Sequence, residues 1–90
     1  MKIKKVEIVP IKPCNGLIGF AHVFIEEGLY LGSIGIFTKR DGDGYRLTYP
    51  TRRVGEGNIT IFHPINNECS KEFEKAVFEE AKRVFSVQKF

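Results

Sequence analysis

Ninety residues with a net charge of +3 make one small domain, since the chain is too short for two independent cores. A hydrophobic fraction of 42%, with eight phenylalanines, supports a packed core and excludes a largely disordered chain. No apolar run could span a membrane, the first residues lack the pattern of a secretory signal, and two distant cysteines do not make a disulfide scaffold, so we expect a cytoplasmic protein with reduced thiols.

The first part of the chain predicts three strands. Residues 2–11 alternate apolar and charged side chains, as in a strand with one wet face. Residues 17–25 and 29–38 are apolar on both sides, with Phe20 and Phe24 on one side of the second strand. The third strand contains residues that indicate a bulge or a close backbone approach, namely Gly32, Ser33 and Gly35. One helix covers one face of such a sheet, so we expect a second copy of the chain to cover the other face or an exposed edge.

The second part of the chain predicts two shorter strands and one helix. After a charged hairpin loop, the predicted elements are a strand at 45–49, a glycine-bearing loop at 51–57, a strand at 58–62 and a helix at about 70–85. The helix is indicated by an apolar stripe with a period near 3.6 residues, formed by Phe73, Ala76, Val77, Ala81 and Val84. Residues 1–90 are therefore predicted to form one α+β domain, an antiparallel sheet of about five strands followed by one C-terminal helix.

The sequence gives little support for catalysis. His22 lies in the middle of a strand, His63 precedes a proline, and the carboxylates fall in turns and on the helix surface. The spacings of these histidines relative to Cys14 and Cys69 match no standard zinc pattern. We expect no enzyme, no cofactor, no metal site and no small-molecule substrate; a metal- or redox-responsive domain that uses the two cysteines is a distant third hypothesis.

Basic residues are concentrated in the first part of the chain. Residues 1–53 carry nine Lys and Arg against five Asp and Glu, whereas residues 54–90 carry five against six. An anionic partner should therefore meet the first part. The candidate phosphate contacts are Lys39, Arg40, Arg46, Arg52 and Arg53. Such a stripe could follow a nucleic-acid backbone while Tyr45 and Tyr49 stack on unpaired bases; the alternative is that the tyrosines belong to the core and the arginines are only solvated.

Two motifs make the sequence similar to a known family. Residues 44–53, Gly-Tyr-Arg-Leu-Thr-Tyr-Pro-Thr-Arg-Arg, resemble the pattern G-L-F-V-x-M-P-S-K-R, and His63-Pro64-Ile65-Asn66 matches the pattern H-P-I-N before the predicted helix. Their order and distance resemble the SpoVG family, named for stage V sporulation protein G, bacterial regulators linked to septation and sporulation. The resemblance implies a small α+β domain, a homodimer built on strand contacts, and sequence-selective but modest binding of DNA and RNA.

The resemblance also assigns roles by position. The basic loop of the family corresponds to Pro50, Thr51, Arg52 and Arg53, and its strand-to-helix corner to His63, Pro64, Ile65 and Asn66. We expect a structural corner, with Ile65 buried and Asn66 or Asn67 satisfying backbone groups at the helix start. Gly35 stands where the family usually has arginine. The leading hypothesis is a non-enzymatic regulator that binds DNA or RNA as a homodimer; the alternative is a protein-interaction module of the same fold without nucleic-acid binding.

Overall fold

The computed structural model describes residues 2–39 and 44–87. These residues form six β-strands followed by one α-helix. In chain order the elements are β1 (Ile3–Cys14), β2 (Leu17–Ile25), β3 (Leu29–Thr38), β4 (Tyr45–Thr48), β5 (Thr51–Val54), β6 (Gly57–Thr60) and α1 (Asn67–Val87). The predicted fold class, an α+β domain with an antiparallel sheet and one C-terminal helix, is confirmed.

The strands β1 to β4 form an antiparallel sheet whose order follows the chain. Asn15 and Gly16, with φ values of 52° and 90°, make the tight turn from β1 to β2, because positive φ at both positions suits the twist of paired strands. Gly28, with φ of 96°, closes the next turn, and its N–H donates to the carbonyl oxygen of Ile25 at 2.9 Å. These short connections make β2 and β3 the central strands and β1 and β4 the edges.

One face of this sheet packs against α1 and forms the core. The buried apolar residues are Ala21, Val23, Ile25, Ile34, Ile36, Phe73, Val77 and Ala81. The members on the strands alternate with outward-facing residues, because the side-chain period of a strand is two, and the members on the helix recur every four residues. The inward-facing residues of β2 and the apolar stripe of α1, both predicted from the sequence, therefore pack together in one core.

The helix begins at Asn67, three residues before the predicted start. Asn66 is the capping residue, since its Oδ1 accepts a hydrogen bond from the backbone N–H of Cys69 at 2.8 Å. Pro64 keeps the residue before it out of the helical conformation, which limits how far upstream the helix can extend.

The segment predicted as a loop at 51–57 contains a strand. Residues 51–54 pair antiparallel with residues 57–60 in a separate two-stranded hairpin, and the main sheet accordingly has four strands. The strand predicted at 58–62 belongs to this hairpin. The two glycines that suggested a loop instead allow a tight turn, in which Gly55 has φ of 60°, between short segments containing β-branched residues that favour strands.

Candidate nucleic-acid interface

Arg52 and Arg53 lie on β5, and both are exposed. Arg52 stands opposite Ile59 of β6, and Arg53 stands opposite Asn58. Because successive side chains of a strand point to opposite faces, the two guanidinium groups leave from opposite sides of the hairpin. The arginines are adjacent in sequence, but their side chains lie on opposite sides of the hairpin and therefore contact different residues.

The two sides of the β5–β6 hairpin differ in polarity. The side that carries Arg53 is otherwise polar, with Thr51, Asn58 and Thr60. The side that carries Arg52 is apolar, and we call Val54, Ile59 and Ile61 the hairpin patch; their exposed fractions are 53%, 56% and 61%. The N–H of Ile61 donates to the carbonyl oxygen of Pro50 at 2.8 Å, which extends the pairing by one step. A two-stranded hairpin with so much exposed apolar surface is at best marginally stable alone.

Arg46 belongs to a different surface, the face of the sheet opposite the helix. It pairs with Phe37 of β3, and its guanidinium carbon lies 4.8 Å from the centre of the Phe37 ring, a cation–π distance. Lys39 follows β3 and is exposed, and its backbone N–H donates to the carbonyl oxygen of Gly44 at 3.2 Å. Arg40 lies outside the described residues. The predicted basic residues that the structure describes are thus distributed over two hairpins, β3–β4 and β5–β6.

Tyr45 and Tyr49 point toward the helix. The ring of Tyr45 lies 6.1 Å from that of Phe85, and the ring of Tyr49 lies 6.3 Å from that of Phe73. The Tyr49 hydroxyl is buried without a hydrogen-bond partner in the described part of the chain. Burial, and secondarily the Glu74 carboxylate, raises the pKa of Tyr49 to about 12. Both rings are partly buried and pack against the core, as the alternative interpretation of these tyrosines predicted.

The face of the sheet opposite the helix carries other aromatic side chains. We call this set, on the two central strands, the open aromatic face; it consists of Phe20, His22, Phe24, Tyr30 and Phe37. The ring centres of Phe24 and Tyr30 are 4.9 Å apart, and those of His22 and Tyr30 are 5.7 Å apart with their planes inclined by 20°. Tyr30 is exposed, and the other four side chains of this face are half-buried. The alternation of β2 indicated two of them from the sequence, Phe20 and Phe24.

A β-bulge in β3 determines that Tyr30 belongs to this face. The register between β2 and β3 shifts by one residue near Ser33, which has φ of 64°, and the Ser33 N–H donates to His22 Nδ1 at 3.1 Å. The extra residue reverses the alternation, so Tyr30 points outward while Ile34 stays in the core. The Tyr30 ring fills the space above Gly32, where a Cβ would lie 2.8 Å from it. The bulge indicated by the sequence is therefore present. Its effect on the direction of Tyr30 can be recognised only from the pairing of β3 with β2.

The corner between β6 and α1, residues 63–66, is stabilised by local hydrogen bonds. His63 Nδ1 lies 3.0 Å from the carbonyl oxygen of Pro64, a hydrogen bond when that nitrogen carries the proton. Asn66 caps the helix through its side-chain oxygen, as predicted for Asn66 or Asn67. The side chains of His63 and Asn66 remain exposed, so this corner is structural in its hydrogen bonds and accessible on its outer side.

Ile65 was predicted to be buried, and that prediction is wrong, because 86% of the residue is exposed. Phe62 takes the inward position instead, with its ring centre 6.0 Å from that of Tyr49. The chain then turns toward the helix start, and Ile65 points into solvent. Ile65 is thus a further exposed apolar side chain, in the segment between the hairpin and the helix.

Other candidate sites in the structure have little chemistry to offer. Within the described ranges, no three His, Cys, Asp or Glu side chains lie close enough together to hold a metal ion. Cys14 is exposed and Cys69 is partly buried, and both are free thiols. A cavity of about 390 Å³ is mainly apolar, with Thr38 and Tyr45 as its hydroxyl-bearing side chains. No helix of the described residues has the length and apolar character needed to cross a membrane.

The geometry defines a class of protein: a small α+β domain with one helix on a four-stranded antiparallel sheet and an appended arginine-bearing hairpin. The family model described as SpoVG matches residues 1–83, and the chain belongs to the SpoVG family. A curated relative, the putative septation protein SpoVG of Treponema denticola, is 28% identical over 80 residues, which cover 88% of this chain and 84% of the relative. The resemblance seen in the two sequence motifs is therefore confirmed over most of the chain.

Proposed function

We propose that this protein is a non-enzymatic, cytoplasmic regulator that binds DNA or RNA as a homodimer and acts in septation or sporulation-type control. Membership of the SpoVG family and the septation protein name of the relative support the regulatory role. The observation that carries the nucleic-acid part is the β5–β6 hairpin, on which Arg52 and Arg53 are both exposed. Exposed arginines on an element that packs chiefly on itself can approach a phosphate backbone without displacing other structure.

The hairpin patch supports the proposed homodimer. Val54, Ile59 and Ile61 present three exposed apolar side chains on one side of a hairpin that has little other support, and Ile65 lies further along the same chain segment. A second copy would cover this exposed apolar surface and would support a hairpin that is at best marginally stable alone. The opposite side, with Arg53, would remain in solvent. The dimer would therefore present at least one arginine of each protomer to the same polyanion, and the two contacts would reinforce each other.

The nucleic-acid proposal is tested by replacing Arg52 and Arg53 together with alanine. We expect weaker binding to all sequences, and a shallower dependence of log affinity on log salt, by about one unit for each phosphate that the variant no longer neutralises. Both side chains are exposed in the protomer, so its free energy of unfolding should hardly change, and sedimentation shows whether the loss of Arg52, on the side of the hairpin patch, alters the dimer. Fluorescence anisotropy with single-stranded DNA, duplex DNA and RNA at several salt concentrations measures both the affinity and its salt dependence.

A matched control removes the same charge elsewhere. Lys71 and Lys75 are exposed on the helix, and their double alanine variant removes two positive charges without touching the hairpin. If nucleic acid binds at the hairpin, this control should bind much more tightly than the arginine variant. Equal weakening in both variants would show a diffuse charge effect, and failure of the wild-type protein to bind any probe at low salt would contradict the proposal.

The homodimer is tested separately by sedimentation. The wild-type protein at micromolar concentration should show about twice the chain mass of 10.3 kDa. Changing Ile59 to Asp places a charge in the hairpin patch and should yield a monomer, whereas Asn58→Asp, on the polar side of the same strand, should leave the dimer intact. A monomeric wild type, or an unaffected Ile59→Asp variant, would contradict the assigned interface.

A second candidate function is a protein-interaction module of the same fold. It is favoured by the same exposed apolar surface, since the hairpin patch and Ile65 would also suit a different protein. The binding and sedimentation assays described above distinguish this function from nucleic-acid binding. A monomeric protein that binds no nucleic acid at low salt would favour the interaction module.

A further inference from the structure

We propose that the open aromatic face stacks the unpaired bases of a single-stranded nucleic acid. The inference rests on the proposed nucleic-acid binding and assigns to it a second surface, distinct from the hairpin arginines. It concerns the face of the sheet opposite the helix, whose rings are Phe20, His22, Phe24, Tyr30 and Phe37.

The placement of the rings suits this role. They lie on β2 and β3, the two central strands of a four-stranded antiparallel sheet whose other face is packed against a helix. Neighbouring strands are about 4.8 Å apart, so rings on both strands form one continuous surface wide enough for two or three bases. Single-stranded RNA is bound in this way on open four-stranded sheets, where aromatic side chains of the sheet stack successive bases.

Tyr30 is the most accessible of these rings and the best first site for a base. It is 54% exposed, and it stacks nearly parallel to His22 at 5.7 Å, so a base could extend an existing stack. Its outward direction requires the bulge at Ser33 and the absence of a side chain at Gly32. A fold that simply buried apolar surface would gain nothing by turning this ring into solvent, since the uninterrupted alternation would place it in the core.

The charges around the rings favour a polyanion over a second copy of the chain. Lys5 on β1 has its ammonium 5.3 Å from the Phe24 ring centre, and Arg46 on β4 lies over Phe37, so cations stand at both edges of the face. The two central strands contain no acidic residue. Glu7 pairs with Lys5 at 2.9 Å, which leaves Arg46 as the main positive group of the face. A second copy would have to bury these charges, whereas the hairpin patch offers it a surface of three apolar side chains.

The test compares two changes, one in the protein and one in the probe. Tyr30→Leu keeps an apolar side chain but removes the ring, and Tyr30→Phe keeps the ring. Leu29→Ala is the matched control, because Leu29 precedes Tyr30 on β3 and is similarly exposed, at 56%, but belongs to the other face. The probes are a labelled ten-nucleotide oligo(dT), the same oligonucleotide with abasic central positions, and a duplex. Binding is measured by anisotropy at fixed salt.

Stacking of one base should change affinity about five- to 150-fold. We therefore expect Tyr30→Leu to bind the intact single strand at least about fivefold more weakly, and Tyr30→Phe and Leu29→Ala to change much less. The abasic probe should bind wild type more weakly, and Tyr30→Leu should bind both probes almost equally, because the ring and the base act as a pair. Thermal melting of each variant checks that weaker binding is not a folding defect.

Three results would overturn the inference, each distinguishable from failure of the proposed function. Binding of the duplex with no binding of the single strand would keep the nucleic-acid proposal and reject the stacking surface. Equal weakening for intact and abasic probes would show that Tyr30 acts without contacting bases. Conversion of a wild-type dimer to a monomer by Tyr30→Leu would assign the face to a second copy. Absence of binding to all three probes would reject both proposals together.

Discussion

Replacing Tyr49 with phenylalanine should stabilise the protein. The Tyr49 hydroxyl is buried without a hydrogen-bond partner among the described residues, and an unpaired buried polar group costs about 1–3 kcal/mol. The variant keeps the ring and hence its edge-on packing against Phe62 and Phe73. Because Tyr49 as a whole is only partly buried, we take the lower end, a gain of about 1 kcal/mol at neutral pH, which corresponds to about 4–8 °C in melting temperature for a domain of this size.

The gain should grow at alkaline pH. Burial is the main cause that raises the pKa of Tyr49 from 10.0 to about 12, so the folded protein holds the neutral phenol more strongly than the unfolded chain does. The wild-type protein keeps its full free energy of unfolding below pH 10. It loses part of that free energy as the pH rises from 10 toward 12, because the phenol of Tyr49 ionises first in the unfolded chain. At about pH 11 the wild type should have lost less than about 1.4 kcal/mol through this residue, because the side chain is only partly buried, and the phenylalanine variant should lose none of it.

Urea denaturation followed by far-ultraviolet circular dichroism, at pH 7 and about pH 11, measures the free energy of unfolding of both proteins. Tyr30→Phe is the control, since that residue is exposed, and its effect should stay within about 0.5 kcal/mol. A difference between wild type and Tyr49→Phe that is the same at both pH values would refute the alkaline part of the reasoning. A loss of stability in the variant at pH 7 would show that the hydroxyl has a partner.

Three further predictions concern stability. Asn66→Ala removes the side-chain acceptor for the Cys69 N–H and should cost about 1 kcal/mol by urea denaturation, whereas Asn66→Asp should keep most of the stability. Gly35→Ala would place a Cβ 2.5 Å from Thr48 Oγ1 and should cost about 1 kcal/mol or more, and the same change in a Thr48→Ala background should cost clearly less; equal costs would reject the assigned contact. Ile65→Asp, at a residue 86% exposed, should leave the free energy of unfolding of the monomer within about 0.5 kcal/mol, and a large destabilisation would mean that the side chain is covered.

Most of the fold follows from periodicity. The alternation of residues 17–25 predicted a strand, and Ala21, Val23 and Ile25 form one buried row. The stripe containing Phe73 and Val77 likewise predicted the face of the helix that is buried. These patterns are local, and the face that they predict is the face found in the folded protein. A side chain of a strand can move to the other face only if the register of the strand changes.

The positions that the sequence did not predict depend on pairing between distant residues. Tyr30 is turned outward by a bulge whose effect appears only when β3 is set against β2. Arg52 and Arg53 are separated onto two faces because residues 51–54 are a strand, and the glycines near them suggested a loop. Phe62, not Ile65, takes the inward position, and nothing in a single sequence ranks these two neighbours. In each case the sequence identified the type of residue but did not predict on which face of its strand or segment the side chain would lie.

The central strand β2 shows how so small a domain can carry a binding surface without weakening its core. Its inward row, Ala21, Val23 and Ile25, is buried against the helix side, while Phe20 and Phe24 alternate with it on the other face. Substitutions in the outward row leave the inward packing in place, since the two rows share only the backbone. Weaker binding at the open aromatic face can therefore be separated from defects of folding, provided that the bulge at Ser33 is kept intact.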